Sequence, residues 1–354
     1  MSRSFSTNDP DSFAAREQRL REIRKQADRE FRAKIAGSQK LPPVGIASPE
    51  TGYYGMPVLK QPPWTWEIPV YFFVGGAAGS AAVIGNIARM IGADPKLVSD
   101  ARWLAAIGGA ISPALLVADL GMPSRFINML RVFKIQSPMS VGSWTLVAFS
   151  TGSAAAAFTS AVRKRTGPNK LLHVCNSAAD FFAALSGLVL CTYTGVLIGA
   201  TVIPVWNQNV SILPIHFAAS GLNSAVSMLE LRGNYSPALN SLGIASALCE
   251  TAVGATLEMS KRPATKPLHE GKSGWLMRAA GLLSGPIPLV LRLLAGNSRT
   301  PRSKKLRNAA AISSVTGSLI TRVAWVQAGK ESARNPAISL ELPSASEKDQ
   351  IESR

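Results

Sequence analysis

The most constraining feature of this sequence is a series of apolar segments, each about twenty residues long. A helix of about twenty apolar residues spans the roughly 30 Å hydrocarbon core of a bilayer. Lipid gives the backbone no hydrogen-bond partners, so only helices and closed β-barrels cross it, and the alternating pattern of a barrel is absent. We predict an all-α integral membrane protein with about eight transmembrane helices in two four-helix bundles. The predicted spans are 69–91, 101–121, 142–162, 177–199, 202–228, 236–258, 275–296 and 307–328.

The composition favours a membrane protein over a soluble one. Hydrophobic residues make up 47% of the chain and charged residues 17%, whereas an ordinary soluble domain is about one quarter charged. The net charge of +17 is compatible with nucleic-acid binding, but the Lys and Arg residues lie in the N-terminal tail and between the apolar segments. Basic loops against anionic lipid explain that distribution better, so no nucleic-acid partner is expected.

Three regions follow from the change in composition along the chain. Residues 1–66 are predicted to form a soluble, charged extension, with an amphipathic helix at 11–36 and a Pro/Gly-rich linker at 38–66. Residues 67–330 form the transmembrane domain, and 331–354 a polar tail. The amphipathic helix is either an ordinary solvated helix or a docking helix for a partner subunit or the membrane surface.

The tryptophans are distributed unevenly between the two membrane surfaces. An even number of spans places both ends of the membrane domain on one side, here named side A, with side B opposite. Side A holds the starts of odd-numbered spans and the ends of even-numbered ones. Tryptophan is common at both interfaces, so the bias suggests that side A does more than anchor the protein. Six of the seven tryptophans lie near side A: Trp64, Trp66, Trp144, Trp206, Trp275 and Trp325.

The sequence offers few ligands for a metal centre. Of the three histidines, His173, His216 and His269, only His216 lies within a predicted span, whereas a bis-histidine haem needs two on facing helices. The three cysteines lack the CxxC spacing of a cluster or zinc site. We therefore expect no haem, iron–sulfur cluster or metal in this chain.

Ionisable residues inside the spans are functional candidates, because a charge in hydrocarbon is costly. Glu250 lies mid-span and is the strongest of them. Asp119, Glu258 and Arg322 lie near side A, where they either reach the lipid headgroups or belong to a site.

Two further charges and two tyrosines complete this group. Asp180 and Arg292 lie near side B, where reaching the headgroups is the simpler interpretation. Tyr71 and Tyr193 are either packing residues or hydrogen-bond donors within the membrane. A quinone needs such donors in an apolar slot, together with a titratable group for its protons.

Several stretches, in order along the chain, resemble the polysulfide-reductase membrane-anchor (NrfD-like) family. The most specific is DLGMPSRF (119–126), followed by SPMS (137–140) and GSW (142–144). The others are YFFVGGAAG (71–79), YTGVL (193–197), PVWN (204–207), SGL (220–222), RVAW (322–325) and AGK (328–330).

The resemblance implies a quinone-binding membrane anchor subunit of a multisubunit oxidoreductase in a bacterial cell (inner) membrane. Its cofactor would be a quinone, menaquinone or ubiquinone, and its partners a ferredoxin-like iron–sulfur subunit and a molybdopterin or multihaem catalytic subunit. This chain would then not be catalytic alone. One alternative is a subunit of a quinol-oxidising, cytochrome-linked complex of the alternative complex III type. A transporter is the alternative from a different class.

The resemblance also implies a quinone pocket on side A. Tyr193 matches the family's fourth-helix tyrosine, and Tyr71 a polar position of its first helix. Glu67 stands beside a position where relatives carry an amide, so Glu67 is a candidate proton donor or acceptor. Asp119 and Arg125 are expected to form an ion pair or polar cluster that closes the pocket.

Three titratable residues of later spans are expected to start a proton path. They are His216, Glu250 and Glu258. Together with the quinone pocket they define the site that the sequence predicts.

Overall fold

A computed structural model of the protein describes residues 18, 22, 25, 59–120, 124–167, 169–260, 262–298 and 300–335. The chain divides into two units, Met1–Met56 and Pro57–Arg354. In the first unit the three described residues, Gln18, Glu22 and Lys25, are helical and exposed. The rest of the predicted helix 11–36 lies outside the described residues.

The described part of the second unit contains eight helices that are long and apolar enough to cross a membrane. The predicted all-α membrane fold is confirmed, and the described residues contain no strand. Short helices at Ser124–Met129, Pro204–Asn207 and Lys266–His269 lie in the connections on side A. Spans 1 to 8 are Glu67–Met90, Pro95–Asp119, Pro138–Thr166, Lys170–Gly199, Ile212–Leu231, Pro237–Met259, Gly271–Ala295 and Pro301–Arg334.

Local sequence signals explain where several spans begin. A polar side chain stands immediately before the helix and accepts a hydrogen bond from a first-turn backbone N–H, which would otherwise lack a partner. In four of these spans proline follows, because its fixed φ suits the first helical position and its missing N–H is not needed there. The capping residues are Asp94, Ser137, Asn169, Ser236 and Thr300.

Spans 1–4 pack against one another as one four-helix bundle and spans 5–8 as a second. Span 5 joins the bundles, since it contacts spans 1 and 4. Spans 1 and 4 approach closely at Gly79 and Gly187, where a Cβ on Gly79 would lie 2.5 Å from the Gly187 carbonyl oxygen. Small residues permit this approach and so supply the packing that holds helices together in lipid.

The predicted fifth span, 202–228, is wrong at its start. Pro204–Asn207 forms a separate short helix, and span 5 begins at Ile212. The Asn209 side chain donates to the Val205 carbonyl oxygen at 2.7 Å, so a side chain takes up a backbone acceptor at the point where the short helix ends.

One carboxylate between two arginines ties the first bundle together near side B. Asp180 of span 4 lies 3.2 Å from Arg89 Nε of span 1 and 2.7 Å from Arg102 Nη2 of span 2. Arg102 Nη1 also donates to Ser160 Oγ of span 3 at 2.8 Å. Asp180 therefore does not reach the lipid headgroups, the interpretation that the sequence favoured.

The second bundle repeats this arrangement with Glu230 at the end of span 5. Glu230 Oε2 lies 2.8 Å from Arg292 Nη1 of span 7, and Glu230 Oε1 accepts from Arg307 Nε of span 8 at 2.9 Å. All three side chains are buried, with exposed fractions of 0%, 0% and 2%. The headgroup interpretation is thus also wrong for Arg292, since Glu230 provides the counter-charge inside the protein.

Candidate functional site

Two of the predicted pocket residues meet at the side-A end of the first bundle. Thr65 Oγ1 contacts the Glu67 carboxylate and lies 3.4 Å from Asp119 Oδ1. One hydroxyl therefore lies between two carboxylates, one at the start of span 1 and the other at the end of span 2. Arg125 belongs to the short helix Ser124–Met129, but its side chain is outside the described atoms, so the Asp119–Arg125 pair stays a prediction.

Tyr71 and Tyr193 lie together in the core of the first bundle. Their exposed fractions are 2% and 7%, and both belong to the same cluster of buried side chains. The two rings are near enough to interact electrostatically, and neither hydroxyl forms a hydrogen bond with another described residue. A tyrosine hydroxyl is a hydrogen-bond donor, so these two groups can donate to a ligand.

Gly142 lies in the second turn of the third span, where that span packs against Tyr193 of span 4. A Cβ on Gly142 would lie 2.0 Å from Tyr193 Oη and 1.7 Å from Tyr193 Cζ. Any side chain at Gly142 would therefore displace the tyrosine ring. The glycine therefore leaves the space that the Tyr193 ring occupies.

In the second bundle, His216 and Glu250 form a buried pair. His216 Nε2 is 3.2 Å from Glu250 Oε2, and the exposed fractions of the two side chains are 5% and 1%. Trp325 Nε1 lies 3.2 Å from His216 Nδ1. Because an indole N–H only donates, Nδ1 is the acceptor, and the proton of a neutral imidazole is on Nε2, facing Glu250.

A break in span 7 positions the next partner of Glu250. The helix Gly271–Ser284 ends at Gly285, and Pro286–Ala295 begins a second helix. Ser284 Oγ at the break donates to Glu250 Oε2 at 2.9 Å. The second carboxylate oxygen, Oε1, is buried without a hydrogen-bond partner among the described residues.

Side chains of spans 5 and 8 satisfy the carbonyl groups that the break leaves free. Asn223 Nδ2 donates to Ser284 O at 2.8 Å, and Ser313 Oγ donates to Leu283 O at 2.7 Å. Irregular backbone is tolerated at membrane depth only where such partners replace the helical hydrogen bonds. The sequence prediction of a continuous span 7 missed this break, although Gly285, Pro286 and Pro288 signal it.

A cavity of about 410 Å³ joins the predicted proton-transfer residues. His216, Glu250 and Glu258 all line it. Glu258 is at the exposed end, where its carboxylate pairs with Arg278 Nη2 at 2.7 Å and lies 3.5 Å from His269 Nδ1. The exposed fraction changes from 52% at Glu258 to 1% at Glu250, so the cavity connects a wet end near side A to a buried titratable pair.

Arg322 and Trp325 of span 8 complete the buried end of this site. The Arg322 guanidinium lies 3.8 Å from the centre of the Phe217 ring, and its Nη2 donates to the Phe217 carbonyl oxygen at 2.9 Å. Arg322 is also close enough to Glu250 to interact with it electrostatically. The contact between Trp325 and His216 was not predictable from residues that are 109 positions apart.

The described residues contain no group of three or more His, Cys, Asp and Glu side chains that could hold a metal ion. The sequence matches the family model described as Polysulphide reductase, NrfD, over residues 57–235, half of the chain. The chain belongs to the NrfD family. It is therefore a multi-pass membrane subunit of the polysulphide reductase-like type.

The family match covers the whole predicted quinone pocket of this NrfD protein but only part of its predicted proton path. It covers spans 1–5, and so includes the five residues predicted for the quinone pocket and also His216. Glu250 and Glu258 lie beyond it. No curated protein matches the chain.

Proposed function

We propose that this NrfD protein is the quinone- or quinol-binding membrane anchor of a multisubunit oxidoreductase. It would exchange electrons between a partner iron–sulfur protein and the quinone pool of a bacterial cell (inner) membrane. The partners would be a ferredoxin-like iron–sulfur subunit and a molybdopterin or multihaem catalytic subunit. The chain alone would carry no substrate chemistry.

The observation that carries the proposal is the pair of buried tyrosine side chains whose hydroxyls form no hydrogen bond with another described residue. Quinone carbonyls are hydrogen-bond acceptors and a tyrosine hydroxyl is a donor, so Tyr71 and Tyr193 are suited to bind one. The surrounding apolar side chains of the same cluster, such as Phe72 and Leu190, suit a flat ring. Glu67 and Asp119 provide titratable groups at the side-A end of the bundle.

When bound, the quinone, menaquinone or ubiquinone, would supply the redox chemistry. Tyr71 and Tyr193 would orient it by donating to its carbonyl oxygens, while Glu67 and Asp119 exchange protons with water on side A. In the second bundle, His216 holds its Nε2 proton towards Glu250 because Trp325 occupies Nδ1. That pair can store a proton that enters the cavity past Glu258.

Purification from native membranes tests the proposed role. A tagged chain extracted in mild detergent is expected to bring with it an iron–sulfur subunit, a molybdopterin or multihaem protein, and extractable quinone. Mass spectrometry identifies the proteins, and solvent extraction followed by chromatography identifies the quinone. Multihaem cytochromes without a molybdopterin subunit would favour the quinol-oxidising alternative. A lone, monodisperse chain that is active without any redox partner would support a transporter and contradict the proposal.

Tyr193→Phe is expected to lower quinone-linked turnover about three- to tenfold, since it removes one hydrogen bond to the ligand, of about 1 kcal/mol. Turnover is measured in membranes with a short-chain quinone, and the protein level by immunoblotting. Tyr235→Phe is the matched control, because the Tyr235 hydroxyl bonds to Asn308 Oδ1 at 2.8 Å near side B. Equal turnover in the Tyr193→Phe variant and the unmodified protein would remove Tyr193 from the site.

A further inference from the structure

A cleft of about 610 Å³ lies near side B between the two bundles. Spans 1, 2, 5, 6 and 8 all contribute to it, and it is separate from the tyrosine pair and from the His216–Glu250 cavity. Pockets that hold small molecules and cofactors measure roughly 300–1,000 Å³. The side-B cleft, as we name this space, is therefore large enough for an elongated ligand.

The walls of the side-B cleft are apolar and open to the lipid. Ile84 and Ile87 of span 1 face Leu239 and Leu242 of span 6 across it. Ile87 and Leu242 retain exposed fractions of 53% and 38%, so the protein's own side chains do not close the opening. In a bilayer such a surface is covered by hydrocarbon chains.

The rim of the side-B cleft carries an available positive charge. The ammonium group of Lys304, at the start of span 8, is exposed, and lies 5.6 Å from the centre of the Tyr235 ring. It forms no ion pair with any carboxylate among the described residues. Asp94, which also lines the cleft, is already engaged as a helix cap, since its carboxylate accepts from Lys96 N at 2.8 Å.

Two neighbouring features make the rim more attractive to an anion. Lys96 and Arg232 share the single carboxylate of Asp100, at 3.2 Å and 3.0 Å. The three side chains together therefore carry a net positive charge. Span 6 begins at the cleft with Ser236 as its cap, and the positive end of its helix dipole lies there.

We propose that the side-B cleft is a binding site for an anionic phospholipid. An acyl chain lies along the isoleucine and leucine walls, and the phosphate lies beside Lys304 and the N-terminal turn of span 6. Basic residues at the headgroup level beside apolar grooves between helices are the general basis of anionic-lipid recognition. The site does not depend on the proposed quinone chemistry, because none of the residues assigned to that chemistry lines it.

The test compares two lipids with identical acyl chains, dioleoyl-phosphatidylglycerol and dioleoyl-phosphatidylcholine. The full-length protein is purified in mild detergent, or as its complex if partners co-purify, and lipid adducts are counted by native mass spectrometry. We expect the anionic lipid to be retained several-fold more strongly. Lys304→Gln should reduce its binding about fivefold, the effect of one basic residue near a membrane surface, without changing binding of the zwitterionic lipid.

Two further variants separate a built site from diffuse attraction. Lys305→Gln removes the adjacent exposed charge, which does not line the cleft, and should leave binding unchanged. Ala238→Phe fills the cleft at an exposed position on its wall and should abolish tight binding of the anionic lipid. Equal losses for Lys304→Gln and Lys305→Gln, or full binding by Ala238→Phe, would overturn the proposal.

Discussion

Glu230→Gln is expected to destabilise the second bundle by about 3–5 kcal/mol, because it removes the only carboxylate between two buried arginines among the described residues. Arg292 and Arg307 would keep their charges in an interior from which water is excluded. Neither can move its guanidinium to a headgroup without breaking the packing around it. A fall of roughly 10 °C in the midpoint of thermal unfolding is the expected result.

The measurement is thermal unfolding of the purified protein in mild detergent. Glu258→Gln is the matched control, since it makes the same chemical change in a pair whose side chains are 52% and 55% exposed. Exposed ion pairs contribute little because water screens them, so this control should leave the midpoint nearly unchanged. Similar shifts for both variants would show that burial of the Glu230 cluster does not govern stability.

Arg292→Met gives a second test of the same idea. The cluster holds two cations for one anion, so removing Arg292 leaves Glu230 paired with Arg307 at balanced charge. The methionine side chain also fills part of the volume that the Arg292 side chain occupies. The loss of stability should therefore be clearly smaller for Arg292→Met than for Glu230→Gln. If the cluster acted through shape alone, Arg292→Met would lower the stability as much or more.

The eight spans were predictable because length and hydropathy determine what crosses a bilayer. Hydropathy also explains what was missed. The predicted fifth span ends at residue 228, two positions before Glu230, so Glu230 is not among the charges predicted within the spans. The partner that makes burial of Glu230 possible, Arg307, is 77 residues away, and nothing in a single sequence indicates that these two meet.

The candidate site shows the same division between local and distant signals. Glu250 stood out because an isolated carboxylate in the middle of a span demands an explanation. Its pairing with His216 follows from how spans 5 and 6 pack, and the contact of Trp325 with the same imidazole depends on span 8. The residues of the second-bundle cavity were therefore partly predictable, but the tautomer and the order of the hydrogen bonds required three-dimensional contacts.

Glu250→Gln is expected to lower quinone-linked turnover of the complex by about 10²- to 10⁴-fold, the usual contribution of a positioned acid–base group. The reason is that the free Oε1 of the Glu250 carboxylate can take a proton that enters through the cavity, while His216 keeps its Nε2 proton and donates a hydrogen bond to Oε2, whereas an amide cannot take a proton. The substitution keeps size and hydrogen-bonding capacity, so Ser284 retains an acceptor and the fold should persist. Turnover is measured with a short-chain quinone in membranes across the pH range that the complex tolerates.

Two comparisons decide whether Glu250 acts through its proton or only through its position. Glu250→Asp keeps an ionisable group on a shorter side chain and should recover part of the turnover, which a purely structural role would not predict. Ser284→Ala removes one donor to the same carboxylate but leaves it titratable, so its effect should be small. If Glu250→Gln retained full turnover with an unchanged pH profile, the buried pair would not lie on the proton path. The quinone site at Tyr71 and Tyr193 would then have to exchange its protons through Glu67 and Asp119 alone.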